Sequence, residues 1–121
     1  MRSVKDLKVY QMAFEMVLKT YSVTEHFPQN EQYGLVSQMR RAAVSVCSNL
    51  AEGCSRGTTK EYLHFACIAK GSASELDCQI DIACALGFID ETKGTELKKC
   101  NDEILKMLSG LIKTLTTNTN N

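Results

Sequence analysis

Six cysteines, two histidines and fourteen carboxylates are the side chains with which this 121-residue chain could do chemistry. Cys47, Cys54, Cys67, Cys78, Cys84 and Cys100 never fall in the C-x-x-C spacing of a zinc knuckle or redox dithiol, so they read as free thiols, small apolar residues along helix faces. Glu61-Tyr62-Leu63-His64 spells the E-x-x-H of a di-iron carboxylate bundle. Such a centre needs a second E-x-x-H and two more inward glutamates, whereas the other histidine, His26, follows Val23 at that spacing. No metal and no cofactor are therefore expected, and Glu61 is better explained as the reciprocal partner of Thr58 in a capping box. No histidine stands beside a cysteine or serine in a nucleophile motif, and no glycine-rich phosphate loop occurs. The residues point away from an enzyme and toward binding.

Charge is divided along the chain although its net value is zero. Between Gly34 and Lys70, Arg40, Arg41, Arg56, Lys60 and Lys70 outnumber Glu52 and Glu61; from Gly71 to Glu103 acidic residues dominate. The basic half can meet an anion that the whole surface would not attract. Arg40, Arg41, Arg56 and Lys60 are the candidate contacts to RNA or DNA phosphates, a modest array that oligomerisation would multiply. The competing reading is a protein-interaction or scaffold module without nucleic-acid binding, in which Arg56 pairs with Glu52 at i, i+4 and Arg40 and Arg41 tie subunits together. No aromatic residue lies between Arg40 and Lys60 to stack a base.

One core is all this length supports, so residues 1–121 form a single domain. Apolar runs are short and the first ten residues alternate charged with apolar side chains, which predicts no signal peptide, no membrane span and a cytoplasmic location. Four helical segments must position the basic residues. The first starts behind a Ser3/Asp6 capping box, carries a heptad seam of Leu7, Tyr10, Phe14, Val17 and Tyr21, and stops at Phe27-Pro28. The second, from about Gly34 to Ser55, has two apolar lines. Leu35, Met39, Ala42, Val46, Asn49 and Gly53 form one, and Val36, Ala43, Val44, Cys47, Ala51 and Cys54 the other. Two lines imply two neighbours, so Val36, Ala43, Val44 and Cys47 are candidates for a subunit interface, with Asn49 and Glu52 as polar residues fixing register there. After Gly57, Thr58 opens a third helix with a seam through Tyr62, Phe65 or Ala66, Ala69, Ala73, Leu76, Ile80, Ala83 and Leu86 or Gly87. Gly87 ends it, and the fourth segment carries Leu97, Cys100, Ile104, Met107 or Leu108, Leu111 and Leu115. The polar, aperiodic end, about 117–121, reads as a disordered tail. Short loops make consecutive helices antiparallel, giving an all-α, up-down-up-down four-helix bundle.

The run from Tyr33 to Gly53, YGLVSQMRRAAVSVCSNLAEG, resembles the signature of the four-helix-bundle proteins encoded in intervening sequences of bacterial 23S ribosomal RNA genes. Glu61-Tyr62-Leu63-His64-Phe65, Gly71-Ser72-Ala73-Ser74-Glu75-Leu76 and Ala85-Leu86-Gly87-Phe88-Ile89 extend the likeness over nearly the whole chain. The resemblance implies a homopentamer, similar to the accessory variability proteins of diversity-generating retroelements, whose basic surface binds nucleic acid and a reverse transcriptase. Where that family usually has proline, this chain has Cys47, which predicts a straighter second helix with one more backbone hydrogen bond.

Overall fold

Four α-helices, α1 (Lys8–Thr24), α2 (Leu35–Ser55), α3 (Thr59–Ala85) and α4 (Glu91–Asn120), make up most of the protein in a computed structural model that describes residues 3–120. Their starts follow the capping chemistry. The Thr58 side chain accepts the Glu61 amide at 3.2 Å and donates to the Glu61 carboxylate at 3.1 Å, and Asp90 accepts the Lys93 amide at 2.8 Å. Gly57 and Gly87 take positive φ values of 90° and 79°, the left-handed conformation that lets the chain leave α2 and α3 in tight turns.

Each helix packs against its sequence neighbours and α1 closes the ring against α4, while among the described residues the diagonal pairs keep their Cα atoms more than 8 Å apart. Cross-helix pairs give the direction: Ser45 meets Ser72 while Gly53 faces Tyr62 and Phe65, so α2 and α3 run antiparallel. Met16, Met39, Leu50, Leu76, Ile80, Ile104 and Leu108 fill the centre of this up-down-up-down bundle. Phe27 in the α1–α2 loop stacks at 5.4 Å on Phe88 of the α3–α4 turn and seals one end. α2 runs unbroken from Leu35 to Ser55 with Cys47 in its interior.

Three expectations are corrected. The Ser3/Asp6 box forms, but it caps a 3-10 turn at Val4–Asp6, and α1 starts afresh at Lys8. The buried line of α1 is Val9, Ala13, Met16, Thr20 and Thr24; Phe14 and Tyr21 are 51% and 42% exposed. Thr20 and Thr24 can replace the aromatic residues inside because each hydroxyl donates to the carbonyl four residues earlier, at 2.7 Å, and carries no unmet polar group into the core. α4 also continues through positions 117–120, where Thr116, Thr117 and Thr119 bond back in the same way; residue 121 lies outside the described residues.

Candidate nucleic-acid interface

The outward ridge of α2 runs between two grooves. Tyr21, Tyr33, Val36, Arg40, Arg41 and Val44 line the groove on the α1 side. On the α3 side the lining is polar, with Gln38, Arg41, Ser45, Ser72, Glu75 and Gln79. Arg41 belongs to both, is exposed, and makes no ion pair among the described residues. Arg40 is more constrained. Its Nε donates to Thr24 Oγ1 at 2.9 Å, and its guanidinium lies 4.4 Å above the Tyr21 ring, a cation–π stack that holds both side chains at the rim. Tyr33, at the end of the α1–α2 loop, is 97% exposed, with its whole ring free to stack.

Arg56 and Lys60 do not join this cluster within one bundle. Arg56 is sixteen residues beyond Arg40, about 24 Å of helix at 1.5 Å per residue. There it pairs with Glu52 at 3.1 Å and leans over Phe65 at 5.0 Å, while Lys60 is exposed in the first turn of α3. The four basic residues therefore form two pairs at opposite ends of α2.

The candidate interface residues also divide. Val36 and Ala43 are each only 1% exposed, covered by their own bundle. Cys47 is half-buried against the same core. Asn49 donates to the Ser45 carbonyl at 2.8 Å and to its hydroxyl at 2.9 Å, and Ser45 bonds Ser72 at 2.8 Å, so this polar chain serves the α2–α3 contact. Val44 and Glu52 remain at the surface. A line of small residues permits close approach of helices, but sequence does not say whether the approaching helix is the chain's own.

The six cysteines are free thiols, as their spacing predicts. None is fully buried; Cys67 and Cys78 are exposed, and the other four are intermediate. Burial pushes Cys47 up to about 11 and raises Cys84 and Cys100 as well, which keeps these sulfurs as thiols at neutral pH and makes them poor nucleophiles. His64 packs edge-on against Phe65 at 5.2 Å, and the Glu61 carboxylate is engaged by Thr58.

The aromatic part of the groove was missed in the sequence. Tyr33 lies outside the basic stretch, and the spacing of Tyr21 matched a core seam. Only its stack with Arg40, nineteen residues further along the chain, reveals the association.

No curated protein matches the chain. Among solved structures, a protein of unknown function from the S23 ribosomal protein family of Bacteroides thetaiotaomicron is similar, with a TM-score of 0.77 and 20% identity. The match covers 87% of this chain and 98% of that one, and at this identity it speaks for the fold. The sequence profile of the 23S rRNA-intervening sequence proteins matches residues 5–110. With that match across the bundle, the chain belongs to the 23S rRNA-intervening sequence protein family.

Proposed function

We propose that this chain is a self-associating, non-enzymatic accessory protein that binds nucleic acid along the α1–α2 groove. One observation carries the reading: the fold sets Tyr21 and Tyr33 beside Arg40 and Arg41, supplying the stacking surface that the basic stretch lacks in sequence. Exposed aromatic rings next to guanidinium groups suit unpaired bases and their phosphates, as in the loops and bulges of a structured RNA. Tyr33 offers a free face for a base, and Arg41 an exposed cation in no ion pair among the described residues. Arg56 and Lys60 add to this surface only when a second copy brings them near it. A net charge of zero makes the affinity modest, and its salt dependence follows the small number of phosphates that these basic residues neutralise.

The test is a fluorescence-anisotropy titration of a labelled 23S rRNA intervening-sequence transcript at several salt concentrations. Binding should weaken as salt rises, and Arg41→Glu should weaken it further while flattening the salt dependence. Unchanged binding after charge reversal of Arg40, Arg41, Arg56 and Lys60 together rejects the proposal.

Phe14 and Leu18, 51% and 58% exposed on the α1 surface, favour a second reading in which this side meets a protein, such as the reverse transcriptase that the resemblance implies. In that case Leu18→Asp would abolish partner capture and the four charge reversals would not.

A further inference from the structure

The polar groove between α2 and α3 holds hydrogen-bonding groups that the bundle does not use. Ser45 meets Ser72 at 2.8 Å, and the antiparallel course of the two helices sets the residues beyond that contact in rungs. Arg41 and Glu75 form the next rung, one turn along, and Gln38 and Gln79 the one after, two turns along. Only the serine rung is closed. Arg41 and Glu75 carry opposite charges and line the same groove, yet neither makes an ion pair among the described residues. Gln79 is only 9% exposed, and its side-chain oxygen has no hydrogen-bond partner among the described residues. An amide buried in that state is a cost to the fold that an apolar side chain would avoid, so packing does not explain it. The groove measures about 420 Å³, the size of a small-molecule site, and Ala42 lines it with nothing larger than a methyl group, which leaves room for a flat ring.

We propose that this groove takes the Watson–Crick edge of guanine. The order of the open groups selects the base. Gln79 and Glu75, four residues apart on one face of α3, offer two acceptors in a row, and Arg41 across the groove offers a donor. Guanine alone presents two donors followed by an acceptor on that edge, its N2 amino group, N1–H and O6. Adenine has one donor and one acceptor there, uracil a donor between two acceptors, and cytosine a donor followed by two acceptors. In the complex the N2 amino group donates to Gln79 Oε1, N1–H donates to the Glu75 carboxylate, and Arg41 donates to O6. The terminal torsion of Gln79 is soft, so its oxygen turns to the groove face without disturbing the helix. Glu75 and Arg41 enter their bonds charged, which strengthens both.

The inference rests on the nucleic-acid reading for the source of the base and adds a base preference to it. Arg41 belongs to both grooves, so a strand that lays one base on Tyr33 crosses the α2 ridge at Arg41 and turns a nearby base toward Glu75 and Gln79. The guanidinium fork has donors enough for O6 and for a phosphate of the same strand.

Fluorescence anisotropy of the full chain with labelled single-stranded RNA decamers provides the test. The decamers are all uridine, or uridine with one central guanosine, inosine or adenosine. The guanosine decamer should bind about tenfold tighter than the all-uridine one. Adenosine should bring no gain, and inosine, which lacks the N2 amino group, should lose most of it. Gln79→Leu should make the guanosine and inosine decamers bind alike, without lowering the melting temperature. Glu75→Lys, at an exposed position, should erase the guanosine preference while tightening the all-uridine decamer, because it replaces an acceptor by a cation. An adenosine or inosine decamer bound as tightly as the guanosine one, or a preference that survives Glu75→Lys, overturns the proposal. Calorimetry with guanosine monophosphate separates the two sources of the base. If the nucleotide binds and no decamer does, the guanine site stands and the nucleic-acid reading falls. If all decamers bind alike and the nucleotide does not bind, the nucleic-acid reading stands and the guanine site falls; binding of neither removes both.

Discussion

The two sides of the bundle are built to different ends. Between α3 and α4 contact is close: Asn101, fully buried, donates Nδ2 to the Ala73 carbonyl at 2.9 Å, and a Cβ at Gly94 would stand 2.6 Å from Cys84 Sγ. Lys98 bridges the rim to Asp77 and Asp81. Between α1 and α2 the core is equally buried below, but above it Phe14, Leu18, Tyr21, Tyr33 and Val44 are exposed, against Ile68, Ile82 and Leu86 along and beyond α3. All three exposed aromatic rings thus lie on the α1–α2 side, while the α3–α4 side spends its polar groups on internal contacts, which separates the stability of the fold from the surface that meets partners.

The largest test of that division is Asn101→Asp. It puts a carboxylate against the Ala73 carbonyl in a site without solvent, and the loss should be about 4 kcal/mol in urea unfolding, as for an uncompensated buried charge. A loss below 1 kcal/mol would mean that water reaches the α3–α4 contact and the contrast between the sides is false. Arg40→Gln is the matching change on the other side. It removes the charge-assisted bond to Thr24 and the stack on Tyr21, and about 1 kcal/mol should follow. Arg41→Gln, one residue on, should leave stability unchanged, because Arg41 is exposed and makes no ion pair among the described residues.

Lys98 gives a smaller effect with a sign that pH reveals. Partial burial alone would lower its pKa, but its hydrogen bonds and charge contacts with Asp77 and Asp81 outweigh that and raise it above the usual 10.5. A group whose folded pKa is raised stabilises fully below its unfolded value and loses that contribution as pH rises through the folded one. Lys98→Met should therefore cost no more than about 1 kcal/mol at neutral pH, with the difference from the parent chain shrinking above pH 10.5. A difference that grows with alkalinity would assign the pair no stabilising role.

Much of the architecture could be read from residue pattern, and the failures have identifiable causes. The seams of α3 and α4 were legible because Ala66, Ala69, Ala73, Leu76, Ile80, Leu97, Ile104 and Leu108 are apolar and buried alike. α1 was misread because Thr20 and Thr24 hide their polarity in bonds to their own helix, while Phe14 and Tyr21 advertise a core they do not enter. The basic residues were legible by type, but their division into two pairs was not, since that depends on the length of α2 and on which neighbours claim Arg40 and Arg56. Ala43 and Cys47 showed that α2 permits close packing; that the packing is internal appears only once α1 and α3 are in place.

Tyr33→Ala is the smallest change to the fold and the sharpest to the proposed surface. The ring is 97% exposed, so its loss removes almost no buried area, and stability should move by less than about 0.5 kcal/mol. If a base stacks there, removing the ring should cost roughly 1–3 kcal/mol of binding, about 5- to 150-fold in Kd, with little change in salt dependence because no phosphate contact is lost. Arg41→Glu should do the opposite to the salt slope, flattening it. The two substitutions thus divide the groove into a stacking part and an electrostatic part. If Tyr33→Ala instead lowered the unfolding midpoint and left RNA affinity intact, the ring would belong to the fold, and the α1–α2 side would have no claim to being the one left open for a partner.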